Sequence, residues 1–321
     1  MRVAGRQRPT TPGTTDAGLV NSVSIRWLFE SCSLRVSRWQ CRVERRGLTE
    51  ERRQPWHIIA FPHLGAYRMH TPEGVTFVDA NTVAFFNAGR PYQTSHPNGC
   101  GDQGSSLVVA PEVLGEALAA FDPDARDRID APFRRCGAAS PPSVYLRLRL
   151  FLNRLQRGTA EDPLDLEETG LRLLETIVPL AAGACAPAAS APTRSTLDRV
   201  EEARILLERR FRDALSLADL ATAVDLSPYH LCRMFRKASG LTVHRYLVRL
   251  RLREAVDRLA DGAPDLSRVA LATGFSSHSH FSAAFRQEFG VSPSHVRDAA
   301  ASGSLRRLAP ACADRSSAAR S

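Results

Sequence analysis

One helix-turn-helix pattern occurs twice between Leu217 and Pro293, and that duplication limits the chain more than any other feature. The first copy, from Leu217 to Thr242, reads LADLATAVDLSPYHLCRMFRKASGLT; the second, from Leu266 to Pro293, reads LSRVALATGFSSHSHFSAAFRQEFGVSP. Leu217, Leu220, Ala221 and Ala223 recur 49 positions later as Leu266, Val269, Ala270 and Ala272. Leu231, Phe235, Arg236 and Gly240 recur 50 positions later as Phe281, Phe285, Arg286 and Gly290, so the second copy carries one extra residue between Phe275 and Phe281. A helix pair of this type places its second helix in the DNA major groove. Two pairs in one chain imply two groove segments read by one monomer.

The local signals agree with that reading. Ala221 is small where two helices must cross closely. Ser227 is a good N-cap, and Pro228 at the first helical position costs no hydrogen bond. Leu231, Met234 and Phe235 share the inward face of a helix ending at Gly240. Tyr229, His230, Cys232, Arg233, Arg236 and Lys237 occupy its other faces. The N-terminal half of such a helix reaches base edges, so Tyr229, Cys232 and Arg233 are the expected readers. Arg233 suits a bidentate contact to guanine. Arg236 and Lys237, further along, suit phosphate. In the second copy Ser277 to Phe289 is the reading helix, with Ser277 at its start and His278, Ser279, His280, Ser282 and Arg286 on its outer side. His278 and His280 are two residues apart and point to different sides of a helix, which argues against a metal pair.

Between the copies, Thr242 caps a helix predicted to run to about Leu259. Its charged residues, Arg245, Arg249, Arg251, Arg253 and Arg258 with Glu254 and Asp257, read as a solvated or phosphate-facing surface. This helix would fix the spacing of the modules at about one DNA turn, roughly 34 Å.

Upstream the pattern changes. Val23–Phe29, Leu34–Val43, Ile58–Phe61, Tyr67–His70, Val75–Val78 and Val83–Phe86 are short apolar or alternating runs separated by turn signals, which predicts a β-sandwich or small barrel. Glu112–Ala120, Ser143–Arg157 and Leu164–Ala182 carry helical periodicity. The expected organisation is a disordered arm over residues 1–20, a β-rich domain with a closing helical hairpin over 21–183, an Ala/Pro/Ser linker over 184–196, an all-α DNA-binding domain over 197–299 and a disordered tail over 300–321. The fold class is multi-domain α+β.

Forty-three Lys and Arg against 34 Asp and Glu give a formal charge of +9, which suits a polyanionic partner. Lys237 is the only lysine. Seven scattered cysteines without a C-x-x-C argue against a disulfide framework or a zinc cluster and suit reduced thiols in a cytoplasmic protein. No run is apolar enough to span a membrane, and the first twenty residues lack the apolar core of a secretory signal. In the β-rich region His70, Glu73 and His96 are the only set that could be imagined around a metal, and no cofactor is expected.

Together, LADLA, LSPYHLCRMFRKASGLTVHRYL and VALATGFSSHSHFSAAFRQEFGVSPSHVR resemble the AraC/XylS family of bacterial transcription regulators, over about Leu197 to Ala299. The resemblance implies that each reading helix enters one of two successive major-groove segments. It places Tyr229, Cys232 and Arg233 at the reading positions of the first helix, and His278, Ser279, Ser282 and Ala283 at those of the second. Asp225 stands where the family usually has glycine, and Ala283 where it often has arginine, which implies weaker direct readout by the second module. The stretch from His57 to Val109 more faintly resembles the cupin-like sensor barrels of this family. That implies a small-molecule effector, and a homodimer formed through the helices after the barrel, with RNA polymerase as a further partner of a DNA-bound activator. The alternatives are a metal-dependent cupin enzyme, and a DNA-repair protein using the same DNA-binding module. The first needs clustered metal ligands and the second a recognisable reactive-cysteine motif.

Overall fold

Antiparallel strands with one face on a core should alternate, and the first half of the chain builds two sheets from such strands. The computed structural model describes residues 21–43, 47–97, 99–157, 162–182, 194–263 and 265–302. Strands β1 (Asn21–Glu30), β2 (Leu34–Val43), β3 (Arg52–Arg53), β4 (Ile58–Leu64), β5 (Tyr67–Thr71), β6 (Gly74–Val78), β7 (Thr82–Phe86), β8 (Pro91–Ser95), β9 (Asp102–Val109) and β10 (Gly137–Ala139) form a six-stranded sheet in the order β1-β2-β9-β4-β7-β10 and a four-stranded sheet in the order β3-β8-β5-β6. Alternation assigns the faces. Ala60 and Ala84 of the larger sheet pack on Tyr67, Met69 and Val78 of the smaller one. Ile59, Phe61, Val83, Phe85, Leu107 and Val109, on the opposite face, meet the helices.

Those helices are α1 (Pro111–Ala119), α2 (Pro142–Arg157) and α3 (Pro163–Ala182). Leu114, Leu148, Phe151, Leu152, Leu173, Leu174 and Ile177 from all three complete this core. Each such buried side chain is worth about 1.5–3 kcal/mol relative to exposure. The structure is therefore mixed α/β, sheet-rich in its first half and helical in its second.

The second half consists of α4 (Arg194–Arg210), α5 (Leu217–Ala223), α6 (Pro228–Ser239), α7 (Val243–Ala260), α8 (Leu266–Ala272), α9 (His278–Phe289) and α10 (Pro293–Ser302). The expected arm over 1–20, residues 303–321 of the tail and residues 184–193 of the linker lie outside the described residues. Helix α4 begins at Arg194, so the last three residues of the expected linker are helical. Among the described residues no helix is long and apolar enough to cross a membrane.

Helix α2 packs on both halves of the chain. The family resemblance implies a dimer interface on α2 and α3. One face of α2 does pack on the sheet, but Tyr145, Leu146 and Leu150 on another face belong to the same core as Leu252, Val256, Phe281 and Phe285 of the helical half. Its apolar surface is spent within the chain.

Candidate nucleic-acid interface

Each module is built from its caps inward. Ser216 caps α5 by accepting from the Asp219 N–H at 3.1 Å, and Asp265 caps α8 by accepting from the Ser267 and Arg268 N–H groups at 2.8 and 3.2 Å. Ser227 and Ser277 cap α6 and α9, each accepting from an N–H three residues on, His230 and His280, at 3.2 Å. These bonds satisfy amides that a helix start leaves without partners. Both reading helices end on a left-handed glycine, Gly240 and Gly290.

The turns need a left-handed residue. Gly274 supplies it at φ 87°, and a Cβ there would meet Arg212 backbone atoms at 3.0 Å. Asp225 holds the equivalent position at φ 53° and is the only non-glycine with positive φ among the described residues. The turn survives the substitution, as expected from the tolerance of aspartate for this region. The extra residue of the second copy falls in its turn, where Ser276 separates Phe275 from the cap.

Inward faces are apolar in both modules. Leu231 and Phe235 of α6 are fully buried, with Met234 beside them. In α9, Phe281, Phe285 and Phe289 stack in sequence with ring centroids 5.6 and 4.6 Å apart. Outward, Tyr229 is 78% exposed. Cys232, Arg233, Arg236 and Lys237 are exposed and border one shallow cleft with Tyr229 and Thr242, while His230 is half-buried. On α9, Ser277, His278, Ser279, His280 and Arg286 are exposed, Ser282 is half-buried and lies 3.4 Å from the His278 Nε2, and the edge of the His280 ring meets Phe275. The structure thus brings the expected residues together as two separate surfaces, one on each reading helix.

Helix α7 links the two. Tyr246, Leu247 and Leu250 lie in the core of the first module, and Leu252, Ala255, Val256 and Leu259 in that of the second. A single helix buried at both ends leaves little freedom between the modules. Arg249 and Arg245 of α7 also hold Glu288 of α9.

The arginines of α7 do not form the single solvated or phosphate-facing surface expected from sequence. Arg253 is buried and donates to the carbonyls of Ala80 and Ser140 in the sheet-rich half. Arg251 donates to the carbonyls of Phe211 and Asp213 at 2.6 and 2.9 Å. Asp257 accepts from the Tyr145 hydroxyl at 2.9 Å and pairs with Arg149 at 2.6 Å.

These contacts belong to a seam that sequence reasoning missed. At its centre Asp79, from the turn between β6 and β7, takes two bonds from Arg204 of α4 at 2.8 and 2.6 Å, and one each from the Tyr246 hydroxyl and the Thr82 hydroxyl. Burial opposes ionisation of Asp79, but Arg204 and these donors outweigh it and hold the carboxyl below its usual range. Arg68 of β5 pairs with Asp198 and Glu201 of α4 at 2.5 and 2.6 Å. The Gly65 N–H donates to Glu208 Oε1 at 2.6 Å, and burial, with the nearby charge of Asp79, pushes this carboxyl up to about 7. Asn153 of α2 donates to the Ala260 carbonyl at 2.6 Å, and Arg157 to those of Ala300 and Ala301.

In the sheet-rich half, the metal set considered from sequence does not form. His70 bonds Ser95 at 2.8 Å, and Glu73 lies exposed in the β5–β6 turn. His96 instead meets Asp102 and Cys41, a different set from the one conceivable in the sequence. Two cross-strand residues, Cys41 and Asp102, and a histidine six positions before the second carry no sequence signature. The Cys41 thiol is pushed up to about 12 by burial and by Asp102.

Two capped helix-turn-helix units on a shared connecting helix define a DNA-binding domain with two reading helices. Residues 220–299 match the family described as a helix-turn-helix domain. The transcriptional activator RhaS of Escherichia fergusonii is 40% identical over 91 residues, which are 28% of this chain and 33% of that protein. A Chromobacterium violaceum transcriptional regulator with an AraC-type DNA-binding domain is 32% identical, the match covering 33% of this chain and 95% of that one, with a TM-score of 0.32. ToxT of Vibrio cholerae is 10% identical, covering 83% of this chain and 98% of its own, with a TM-score of 0.32. Over its helical half the chain is similar to these AraC-type regulators. It spans about a third of the length of the curated relatives it matches.

Proposed function

We propose that the protein is a sequence-specific transcription regulator that reads two successive major-groove segments with α6 and α9. The observation that carries this reading is the pair of equivalent, N- and C-capped helices whose outer faces stay exposed while α7 is built into both of their cores. Tyr229, Cys232 and Arg233 would read bases in one segment, and His278, Ser279 and Ser282 in the other. Arg236, Lys237 and Arg286, later in their helices, would hold phosphate, and His230 and His280 would flank the readers. RhaS is named an activator, and activation is the direction we propose here.

The sheet-rich half would act as a cupin-like effector domain, without catalysis. Its contact with α4 and α7 supports regulation by population shift, in which a ligand favours one arrangement of the seam over another. A second copy of the chain and RNA polymerase complete the proposed partners. With α2 occupied, the edge strand β1, where Val23, Ile25 and Trp27 are exposed, is the better surface for a homodimer.

Selection of binding sites from a randomised duplex library, with full-length protein at fixed salt, tests the reading. Two blocks of sequence information about one helical turn apart are expected. Uniform, salt-sensitive binding with no enriched motif, with and without bound ligands, would overturn it.

A further inference from the structure

Cys41 and Asp102 are register partners across the β2–β9 pair. His96 follows β8, in the other sheet, so the three residues meet at the ends of β2, β9 and β8. One sulfur, one nitrogen and one oxygen donor lie within 4.8 Å of one another. All three residues are buried, at 9, 4 and 6% exposure. The backbone is shaped for this closeness: a Cβ on Gly101 would lie 1.9 Å from the Cys41 carbonyl oxygen, so only glycine lets the β8–β9 loop lie flat on β2.

A structural reading would treat the group as a buried His–Asp hydrogen bond with a core cysteine beside it. Two observations go beyond that. His96 turns Nε2, the nitrogen that a metal here would take, to Asp102, while its Nδ1 is buried with no hydrogen-bond partner among the described residues, so no second bond fixes the ring. A buried polar atom in that state costs about 1–3 kcal/mol. The side chains acting on Asp102 are His96 and Cys41, with no arginine among them, whereas Asp79 and Asp257 each have one. A surface cleft bordered by Gln40, Leu64 and Gln103 reaches Cys41 and Asp102 and gives a path from solvent.

We propose that Cys41, His96 and Asp102 bind one divalent cation of the zinc class, and that this ion is an effector of the protein. Mixed sulfur, imidazole and carboxylate donors suit zinc better than calcium or magnesium, which take oxygen. Three protein ligands leave one position for water or an outside ligand, unlike the closed four-ligand sites that serve structure alone.

The effector half of the proposal rests on the regulatory reading above and on one contact. Gly65 lies against the site, where a Cβ would come within 2.7 Å of the Asp102 Cα, and its N–H holds Glu208 of α4. Arg209 of α4 reaches Cys100 in the same β8–β9 loop at 3.0 Å. Whatever fixes that loop therefore bears on α4, which packs on α6.

The test uses full-length, reduced, chelator-treated protein. Zinc(II) is titrated in competition with a chromophoric chelator, and cobalt(II) is followed by absorption. One ion per chain is expected, with a thiolate-to-cobalt charge-transfer band. Cys41→Ser should remove the band, and Cys41→Ser, His96→Gln and Asp102→Asn should each weaken zinc binding at least about tenfold, while Cys32→Ser changes nothing. If Cys41→Ser fails to fold, the isosteric Asp102→Asn decides. No stoichiometric binding, or binding unchanged in Asp102→Asn, overturns the site. DNA affinity is then measured with and without zinc(II), and a change of about fivefold or more, lost in Asp102→Asn, is expected for coupled sites. Stoichiometric zinc with unchanged DNA affinity overturns the effector role alone. Zinc binding with no DNA binding in any state counts against the regulatory reading and leaves the metal site standing.

Discussion

Arg233 and Ala283 stand at the same step of two equivalent helices, each six residues after its capping serine, Ser227 or Ser277. Both positions are exposed. One module therefore offers a guanidinium where the other offers a methyl group. Arg233→Ala should cost about 1–3 kcal/mol of specific binding and relax one base position. Ala283→Arg should add information to the weaker half-site. Site selection with both variants reads the effect, and equal information in the two wild-type half-sites would contradict the asymmetry.

Lys237 lies late in α6, beyond the turns proposed to reach base edges. Replacing it with alanine should weaken binding to all sequences alike and reduce the salt slope of log affinity by about 1. A change in base preference in that variant would instead move Lys237 among the readers.

Asp79 is the hub of the seam, and Arg204 has few alternatives. Asp79→Ala leaves a buried guanidinium without its partner, a change that typically costs about 3–5 kcal/mol. Denaturant unfolding should show that loss. Loss of two-state behaviour, with the two halves melting separately, is also expected.

Glu208 makes the seam sensitive to pH. Its carboxyl is raised from 4.5 to about 7 when buried beside Asp79, Arg204 and Asp102 and facing the Gly65 amide. A raised folded value means that the docked state binds the proton more tightly than the unfolded chain. That contribution is fully present below about 4.5 and is lost as pH rises through about 7. Unfolding midpoints measured from pH 5 to 8 should fall with pH in the wild type and flatten in Glu208→Gln.

Asp225 carries backbone strain that glycine would not. Left-handed geometry costs an L-residue about 1–2 kcal/mol, and the greater freedom of glycine in the unfolded chain returns part of this. Asp225→Gly should raise stability by up to about 1 kcal/mol without changing DNA affinity, whereas Asp225→Val should lower both thermal midpoint and yield.

The helical half was legible because its signals are local. Caps, glycine stops and apolar spacing lie within a few residues of the helices they define, and the duplication repeats each signal. The sheet-rich half was legible in part. Strands β8 and β9 escaped because PYQTS and DQGSSLVV are half polar. Ser105 and Ser106 are nonetheless buried, and Ser105 sits 3.0 Å from the His63 Nε2. The seam could not be read at all. Arg253 on α7 looks in sequence like the other arginines around it, and only the distant carbonyls of Ala80 and Ser140 make it a buried anchor. The cluster of Cys41, His96 and Asp102 was hidden for the same reason, since strand register rather than spacing creates it.

The insertion of Tyr145, Leu146 and Leu150 into the second module bears on how this chain can change over time. A reader whose core borrows side chains from the sheet-rich half cannot be exchanged freely for another reader. Recombination at the 183–193 junction would leave an apolar notch in one product and three bare hydrophobic side chains in the other. In this lineage the two halves are expected to co-vary, so new specificity should arise by substitution on α6 and α9 rather than by shuffling of domains.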